Sequence, residues 1–452
     1  MYSEAKVFVG PLGHLPPEKM ATLSPNDPNW RSMNHQFDSI PPNVQGYIRE
    51  QLRVPPAHAA TFLPPQNMSV IDFIYSYSLP PVCKDPAKYS IPDRHSFFSR
   101  ELPDDNVGIL ARLTVPPRTV IALLVKDGKQ EWLNGNSSIS LPGEPMHFPM
   151  WAAQFWSELS LTIEPVFSQW RRALEWLRRK EFHPFHDEIR ATVYSLSTLS
   201  WSGRLTPLLP GKTAFLKSSL QVFLSRNWLS DSHIDQLTYL LERDLQEQKK
   251  SFDVHLIDSI LARKILSLYD AEKNNNQIYL PEGDEFFWQR FGARLGPKSR
   301  IGAVFHINGN HWVSTVVDVA MEELAYGDPM NSDQDTRIKA ALLWFISKHV
   351  TSLDPATVQH DECLPCPSQS VTSDWFNCGI FSHNALSHYF CHEPLLRYTH
   401  DPVFGDLERL RILRKLITTH NAMVSGVHPA LKSMSHRDDL ESTRAAYTSL
   451  VL

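Results

Sequence analysis

The chain has 452 residues, of which 42% are hydrophobic and 11% aromatic, the composition of a folded protein with a sizeable core. A net charge of only −5 gives no reason to expect a nucleic-acid partner from bulk electrostatics, and no apolar run is long enough to predict a membrane-spanning helix. Five cysteines are too few for a disulfide framework, and no signal-peptide pattern is visible. The chain is therefore expected to be intracellular, in nucleus or cytoplasm without distinction.

Prolines are concentrated in the first third of the chain. Most of the 34 prolines lie before residue 150, often as adjacent pairs such as 41–42 and 116–117. Because paired prolines interrupt helices and central strands, residues 1–145 are predicted to be an irregular accessory region. One strand is predicted within it, over "TVIALLVK" at 119–126, ended by "DGK".

A helical periodicity starts at residue 146. Apolar residues recur every three or four positions, at Trp151, Phe155 and Leu159 and then at Val166, Trp170, Ala173 and Leu177. This spacing places them on one face of a helix, so 146–210 is predicted to be a helical accessory segment.

Helical and strand signals then occur in separate clusters. A helix is predicted within 227–245, consecutive strands over 300–328, and helices at 334–349, 378–390 and 404–420. Such clustering is typical of an α+β domain, assigned here to 211–425, with 426–452 as a C-terminal tail containing a short helix. A long polar loop spans 351–377, and loops of that length usually have a function.

A cysteine opens one of these helices, in "SDWFNCGIFSHNALSHYF" at 373–390. Asn377 is a good N-cap residue and would place Cys378 at the first helical position, where free N–H groups and the helix dipole stabilise a thiolate. The alternative is a buried, inert cysteine, which is common in folded proteins.

A nucleophilic cysteine needs a base and an orienting acid. His311 follows a turn signal in "INGNHW" and would lie at the mouth of a strand, within reach of solvent. If 311–328 forms a hairpin in which residue 319 pairs with 322, Asp328 lies diagonally across from His311 on the same face, and Asp318 lies on the opposite face. Asp328 is therefore the expected partner, and a structural histidine is the alternative.

An oxyanion donor is the last requirement. Gln369, in the long loop, could offer its amide N–H beside the backbone N–H of Cys378, although a simple polar loop residue is an equal alternative.

The order His-Trp, Asp, Gln and Cys-Gly resembles the ubiquitin-like-protein protease family, which includes the SUMO and NEDD8 proteases and the adenovirus protease. The segment "NWLSDSHIDQLTYLL" is similar to the family's "WLxDxxI" helix. The resemblance covers roughly 212–395, and the layout is similar to fungal members, some of them linked to mobile elements. It implies a papain-like-superfamily domain with a central mixed or antiparallel sheet flanked by helices.

The resemblance also implies residue roles. Cys378 would be the nucleophile, His311 the general base and acid, Asp328 the orienting carboxylate and Gln369 the oxyanion donor. Trp312 and Trp228 would clamp the modifier's diglycine tail, with core packing as their alternative. Two positions depart from the family pattern. The glutamine is usually six residues before the cysteine, where this chain has Thr372, and the preceding residue is usually aspartate rather than Asn377.

The resemblance implies a cysteine-type peptidase, without metal or cofactor, that cleaves the peptide or isopeptide bond after the Gly-Gly of a ubiquitin-like modifier. The modifier would be SUMO-like or NEDD8-like, with a SUMO-like one favoured. The alternative is an inactive or weak binding module for such a modifier. A zinc site at "CLPC" (363–366), completed by His360, Cys391 or His392, is a minor alternative to two free thiols.

Overall fold

The computed structural model describes residues 23–32, 35–83, 86–89, 94–209, 211–212, 214–274, 278–359, 363–369, 374–396 and 401–426. Thr372, His360 and the predicted C-terminal tail helix lie outside these residues.

Thirteen α-helices are present among the described residues. They are α1 (Pro42–Gln51), α2 (Pro56–Phe62), α3 (Val70–Tyr75), α4 (Arg118–Leu133), α5 (Ala152–Glu158), α6 (Glu164–Leu177), α7 (His186–Ser197), α8 (Asp231–Glu247), α9 (Ser259–Lys273), α10 (Phe287–Gly292), α11 (Thr336–His349), α12 (Cys378–Cys391) and α13 (Val403–Ser425). A π-helical turn at Leu159–Ile163 joins α5 to α6, and a 3-10 helix spans Lys217–Leu224.

Seven strands form two sheets in the described part of the chain. The strands are β1 (Phe98–Ser99), β2 (Ser138–Ser140), β3 (His147–Pro149), β4 (Val254–Ile257), β5 (Arg300–Ile307), β6 (His311–Asp318) and β7 (Glu323–Gly327). The first three make a small antiparallel sheet. The other four make a mixed sheet in the order β4-β5-β6-β7, with β4 parallel to β5 and the remaining pairs antiparallel.

The prediction of a strand at 119–126 is wrong, because this segment lies inside helix α4. Its β-branched residues suggested a strand, but Val120, Ile121 and Leu124 are buried together with Gly128 four residues further on. That spacing is helical, and "DGK" continues the helix instead of ending it. Tertiary burial of one face outweighs the weak local preference for a strand.

The chain divides into two compact units. One consists of residues 1–68 and 72–169, the other of residues 69–71 and 170–452. The first unit contains the small sheet and a core cluster of Trp30, Phe37, Ile40, Val44, Ile48 and Leu133.

The second unit is built around the mixed sheet. Residues Ile301, Ala303 and Phe305 of β5 share a core cluster with buried residues of α9 and α11. Helix α12 packs closely against the sheet, and a Cβ added to Gly302 would come within 2.6 Å of the Phe390 ring. A mixed sheet between helices confirms the predicted α+β, papain-like fold class.

The β5–β6 turn places the first candidate site residue. Ile307 pairs with His311, and between them Asn308 and Gly309 both adopt positive φ angles, 52° and 75°. Asparagine and glycine tolerate this backbone region best, so the "NG" turn signal fits the observed hairpin. His311 consequently begins β6 directly at the end of the sheet.

Candidate active site

His311 and Asp328 form a buried hydrogen-bonded pair. Nε2 of His311 lies 2.6 Å from Oδ1 of Asp328, and both residues are at most 6% exposed. The same carboxylate oxygen accepts the backbone N–H of Met330 at 2.7 Å. Two donors on one oxygen fix the carboxylate and thereby the orientation of the ring.

The hairpin register behind this pair is confirmed. Asp318 pairs with Glu323 and Ser314 with Gly327, so the next pair in register would join Val313 and Asp328. Asp318 does not reach the site. Its carboxylate accepts the backbone N–H groups of Ala320 and Met321 in the β6–β7 turn.

Helix α12 begins at Cys378, as predicted, and Cys378 is 1% exposed. The expected capping role of Asn377 is wrong, because its side chain makes no cap hydrogen bond. Its Nδ2 instead donates to Asp374 at 3.0 Å, and its Oδ1 accepts from Nε of Arg409 at 2.6 Å. The N-terminal N–H groups of the helix are therefore not capped by this side chain.

Gly379 is required by packing. A Cβ at this position would lie 2.8 Å from Cδ1 of Ile234 and 3.3 Å from Cδ1 of Trp312. The absence of a side chain lets the first turn of α12 approach α8 and β6 closely, which positions Cys378 against them.

The electrostatics link Cys378 to His311. Burial lowers the pKa of His311, but the hydrogen bond to Asp328 and the interactions with Cys378 outweigh burial and raise the pKa to about 9. Nδ1 of His311 has no hydrogen-bond partner within the described part of the chain. Nδ1 is thus the ring nitrogen free to exchange a proton with the thiol.

The pKa of Asp328 shifts in the opposite direction. Burial raises it, but the hydrogen bonds from His311 and from the Met330 backbone hold the pKa of this carboxyl below its usual range. Near neutral pH the pair is therefore an imidazolium beside a carboxylate.

Gln369 lies beside this pair. Its backbone N–H donates to the carbonyl oxygen of Pro329 at 2.6 Å, directly after Asp328 in the chain. The side chain is only 5% exposed, and both polar atoms of its amide lack hydrogen-bond partners among the described residues. A buried amide without partners is unusual in folded proteins.

The two predicted clamp tryptophans differ in exposure. Trp312 is buried and donates its indole N–H to the carbonyl oxygen of Leu229 at 3.0 Å, whereas Trp228 is 44% exposed. Both line one groove of about 560 Å³ with Leu229, Ser230, Asp231, Ser232, His306, Gly309 and Asn310.

Trp375 was not predicted from the sequence. It is 53% exposed, lies three residues before Cys378 and packs edge-on against Trp228, with 5.6 Å between ring centroids. The indole N–H of Trp228 donates to the Trp375 carbonyl oxygen at 2.8 Å. The only sequence signal was an aromatic pair, "WF", inside an otherwise polar loop.

Arg409 of α13 was also missed. It is fully buried and its guanidinium binds the segment that precedes Cys378, through Asn377 and the Phe376 carbonyl oxygen. The available signal was an arginine at helical spacing from Leu413 and Leu416, on the buried face of an amphipathic helix.

The described residues contain no group of three or more His, Cys, Asp or Glu side chains placed to hold a metal ion. Cys363 and Cys366 are free thiols, and Sγ of Cys366 lies 3.9 Å from the Phe381 carbonyl oxygen. In the part of the chain that the structure describes, no helix is long and apolar enough to cross a membrane.

Comparison with known families gives the decisive match. Residues 227–406 match the model of the Ulp1 protease family, C-terminal catalytic domain. This part of the chain is similar to the catalytic domain of that family. The match confirms the resemblance to ubiquitin-like-protein cysteine proteases. The matched segment contains Trp228, His311, Trp312, Asp328, Gln369, Trp375 and Cys378, and Arg409 lies three residues beyond its end. No curated protein sequence matches the chain.

Several solved structures are similar to part of this chain. A yeast Ulp1 protease domain in complex with Smt3, the yeast ortholog of SUMO, is 17% identical, covers 52% of this chain and 95% of its own, and gives a TM-score of 0.34. The Ulp1-like SUMO protease catalytic domain of Chaetomium thermophilum is 17% identical. The match covers 44% of this chain and 78% of that domain, with a TM-score of 0.32. The Xanthomonas campestris effector XopD bound to ubiquitin is 19% identical. The match covers 46% of this chain and 96% of the effector chain, with a TM-score of 0.26.

Proposed function

We propose that the chain is a cysteine peptidase that hydrolyses the peptide or isopeptide bond after the C-terminal Gly-Gly of a ubiquitin-like modifier, with a SUMO-like modifier as its first substrate. The observation that carries the proposal is the buried His311–Asp328 pair next to Cys378 inside the segment that matches the Ulp1 protease family.

Acylation follows from these positions. With the proton of the pair already held on Nδ1 of His311, the thiolate Sγ of Cys378 attacks the carbonyl carbon of the terminal glycine. The resulting tetrahedral oxyanion would be held by the backbone N–H of Cys378 and the unpartnered amide of Gln369. The imidazolium then gives its proton to the leaving amine, the C–N bond breaks and a thioester remains.

Hydrolysis of the thioester reverses the proton path. His311 takes a proton from water, the resulting hydroxide equivalent attacks the thioester carbonyl, and the C–S bond breaks. The modifier leaves with a free C-terminal carboxylate, and the proton returns to the Cys378–His311 pair. Asp328 orients the ring and stabilises the imidazolium throughout both stages.

The groove lined by Trp228 and Trp312 could hold a thin, extended segment of the substrate. Its aromatic walls suit the backbone of residues without side chains, so glycines before the scissile bond would fit it best. Gln369 as oxyanion donor and the two tryptophans as tail-binding residues are part of the same proposal.

The test uses modifier probes. SUMO, NEDD8 and ubiquitin, each with a C-terminal thiol-reactive group, are incubated with the full chain and with Cys378→Ala, and adducts are read by intact mass. We expect an adduct with the SUMO probe that is lost in the variant. A folded chain that binds a probe without forming an adduct would instead favour a binding module.

A further inference from the structure

Arg409 joins three segments around the candidate nucleophile. Nε donates to Oδ1 of Asn377 at 2.6 Å, and Nη2 donates to the carbonyl oxygens of Phe376 and Asn227, each at 2.8 Å. Nη1 donates to the Val222 carbonyl oxygen at 3.1 Å. One buried side chain thus fixes the residue before Cys378, the residue before Trp228 and the end of the 217–224 helix.

The charge of Arg409 is not cancelled by the group it binds most closely. Asn377 is neutral, and it directly precedes Cys378 in the sequence. Of the two nearby carboxylates, Asp406 is paired with Arg226 through bonds of 2.8 and 3.0 Å. Asp374 accepts the backbone and side-chain N–H groups of Asn377. A buried cation without a direct carboxylate partner acts strongly on nearby anions, because the protein interior screens charge poorly.

We propose that Arg409 is a positioning residue for Cys378, which fixes the Asn377–Cys378 junction and supplies a buried positive charge that favours the thiolate. The inference rests on the proposed role of Cys378 as nucleophile. Under this proposal the reactivity of the thiol depends on a residue of a different helix, α13, that is distant from Cys378 in sequence.

Burial lowers the pKa of Arg409 to about 10, while Asp406, Asp374 and Cys378 all raise it, which supports an interaction between the guanidinium and the thiol. Even at about 10, the side chain is charged at neutral pH.

Other charged or titratable groups also face this region. His311 and Asp328 come from the sheet, Asp374 from the loop before α12, Asp406 from α13, Arg226 from the segment before α8 and His233 from α8. Burial lowers the pKa of His233 to about 4, so this ring is neutral at neutral pH. The charge of Asp374 can be removed without a change in side-chain size by substitution with asparagine, and Asp374 belongs to the loop that precedes Cys378.

The experiment measures alkylation of Cys378 by iodoacetamide as a function of pH, followed by mass spectrometry of the peptide that contains this cysteine. The full chain is compared with Arg409→Met and Asp374→Asn. The matched control is Arg411→Met, which removes an arginine of the same helix whose ion pairs are with Glu408 and Glu393. Circular dichroism establishes that each variant is folded.

Removal of the cation disfavours the thiolate, so the pH of half-maximal alkylation should rise by about one unit in Arg409→Met. Removal of a competing anion should lower it by about half a unit in Asp374→Asn. The Arg411→Met profile should match the native one. Opposite shifts of the two variants cannot arise from a merely loosened loop.

Unchanged profiles in folded Arg409→Met and Asp374→Asn would overturn the proposal. If Arg409→Met does not fold, Asp374→Asn decides alone, and an unchanged or raised midpoint in that variant overturns it. Alkylation needs no protein substrate, so the result stands even if no modifier probe reacts with the chain.

Discussion

Two walls of the candidate site are fixed by different forces. The strand wall, residues 311–318 and 323–328, is held by backbone hydrogen bonds between β6 and β7. The loop wall, residues 374–378, is held by side chains, above all by Arg409. A backbone ladder tolerates changes of most side chains, whereas a buried polar network fails when one member is lost. Substitutions of His311 and Asp328 on the strand wall should therefore have mainly catalytic effects, whereas substitutions on the loop wall should have both catalytic and structural effects.

The largest expected effect lies at the point where the walls meet. Cys378→Ser should abolish turnover of a reactive modifier substrate while the thermal unfolding curve stays close to that of the native chain, because the substitution exchanges one small buried side chain for another. Retained turnover would contradict the assignment of the nucleophile.

On the strand wall, Asp328→Asn should lower kcat/KM by about 10² to 10⁴-fold, since the ring loses its orienting carboxylate. Asp318→Asn, on the other face of the same hairpin, is the control and should leave kcat/KM unchanged. Equal losses in both variants would indicate a damaged hairpin instead of a lost partner.

The same pair predicts a pH dependence. The imidazolium of His311 protonates the leaving amine, so kcat/KM of the native chain should fall as pH rises through about 9, where the ring loses its proton. The hydrogen bond to Asp328 is the largest contribution that raises this pKa, so the alkaline limb of Asp328→Asn should move to lower pH. An alkaline limb that stays in place in the variant would assign it to another group.

Gln369 tests the segment that runs beside the strand wall. Gln369→Ala should reduce kcat by about 10² to 10³-fold through loss of one oxyanion donor, with little change in stability, because its amide makes no hydrogen bond within the described residues. Gln359→Ala, in the same segment, is the control, since only backbone groups of Gln359 pair with Glu322 and Leu324. A stability loss equal to the loss of activity would mark Gln369 as structural.

The smallest effect, and a structural one, is expected where the loop wall meets helix α8. Gly379→Ala would place a methyl group 2.8 Å from Ile234, so the free energy of unfolding should fall by about 1 to 3 kcal/mol in chemical denaturation. Gly309→Ala is a useful comparison, because no described residue has an atom within 4 Å of a Cβ there, and its cost would come from the positive φ angle alone. An unchanged unfolding midpoint for Gly379→Ala would mean that α12 can shift away.

The strand wall was also the more predictable of the two. Its residues alternate between faces with a period of two, so the side shared by His311 and Asp328 followed from the sequence once the turn at 319–322 was placed. The start of α12 at Cys378 followed in the same way from local signals.

The loop wall depends on contacts that no local pattern encodes. Asn377 has the right chemistry for an N-cap, but Arg409, 32 residues later, takes its side chain. Gln369 reaches the site through a backbone hydrogen bond to Pro329, and Trp375 through its contact with Trp228. Such pairings are set by tertiary structure. The same is true of helix α4, where a run of β-branched residues led to the prediction of a strand.

Cleavage of a modifier precursor tests the proposed peptidase activity most directly. SUMO, NEDD8 and ubiquitin precursors, each extended beyond Gly-Gly, are incubated with the full chain and with Cys378→Ala, and the products are weighed by mass spectrometry. We expect a SUMO product that ends in Gly-Gly, formed by the native chain and absent with the variant. Cleavage at another position, cleavage that persists in Cys378→Ala, or no cleavage of any precursor by a folded chain would contradict this expectation.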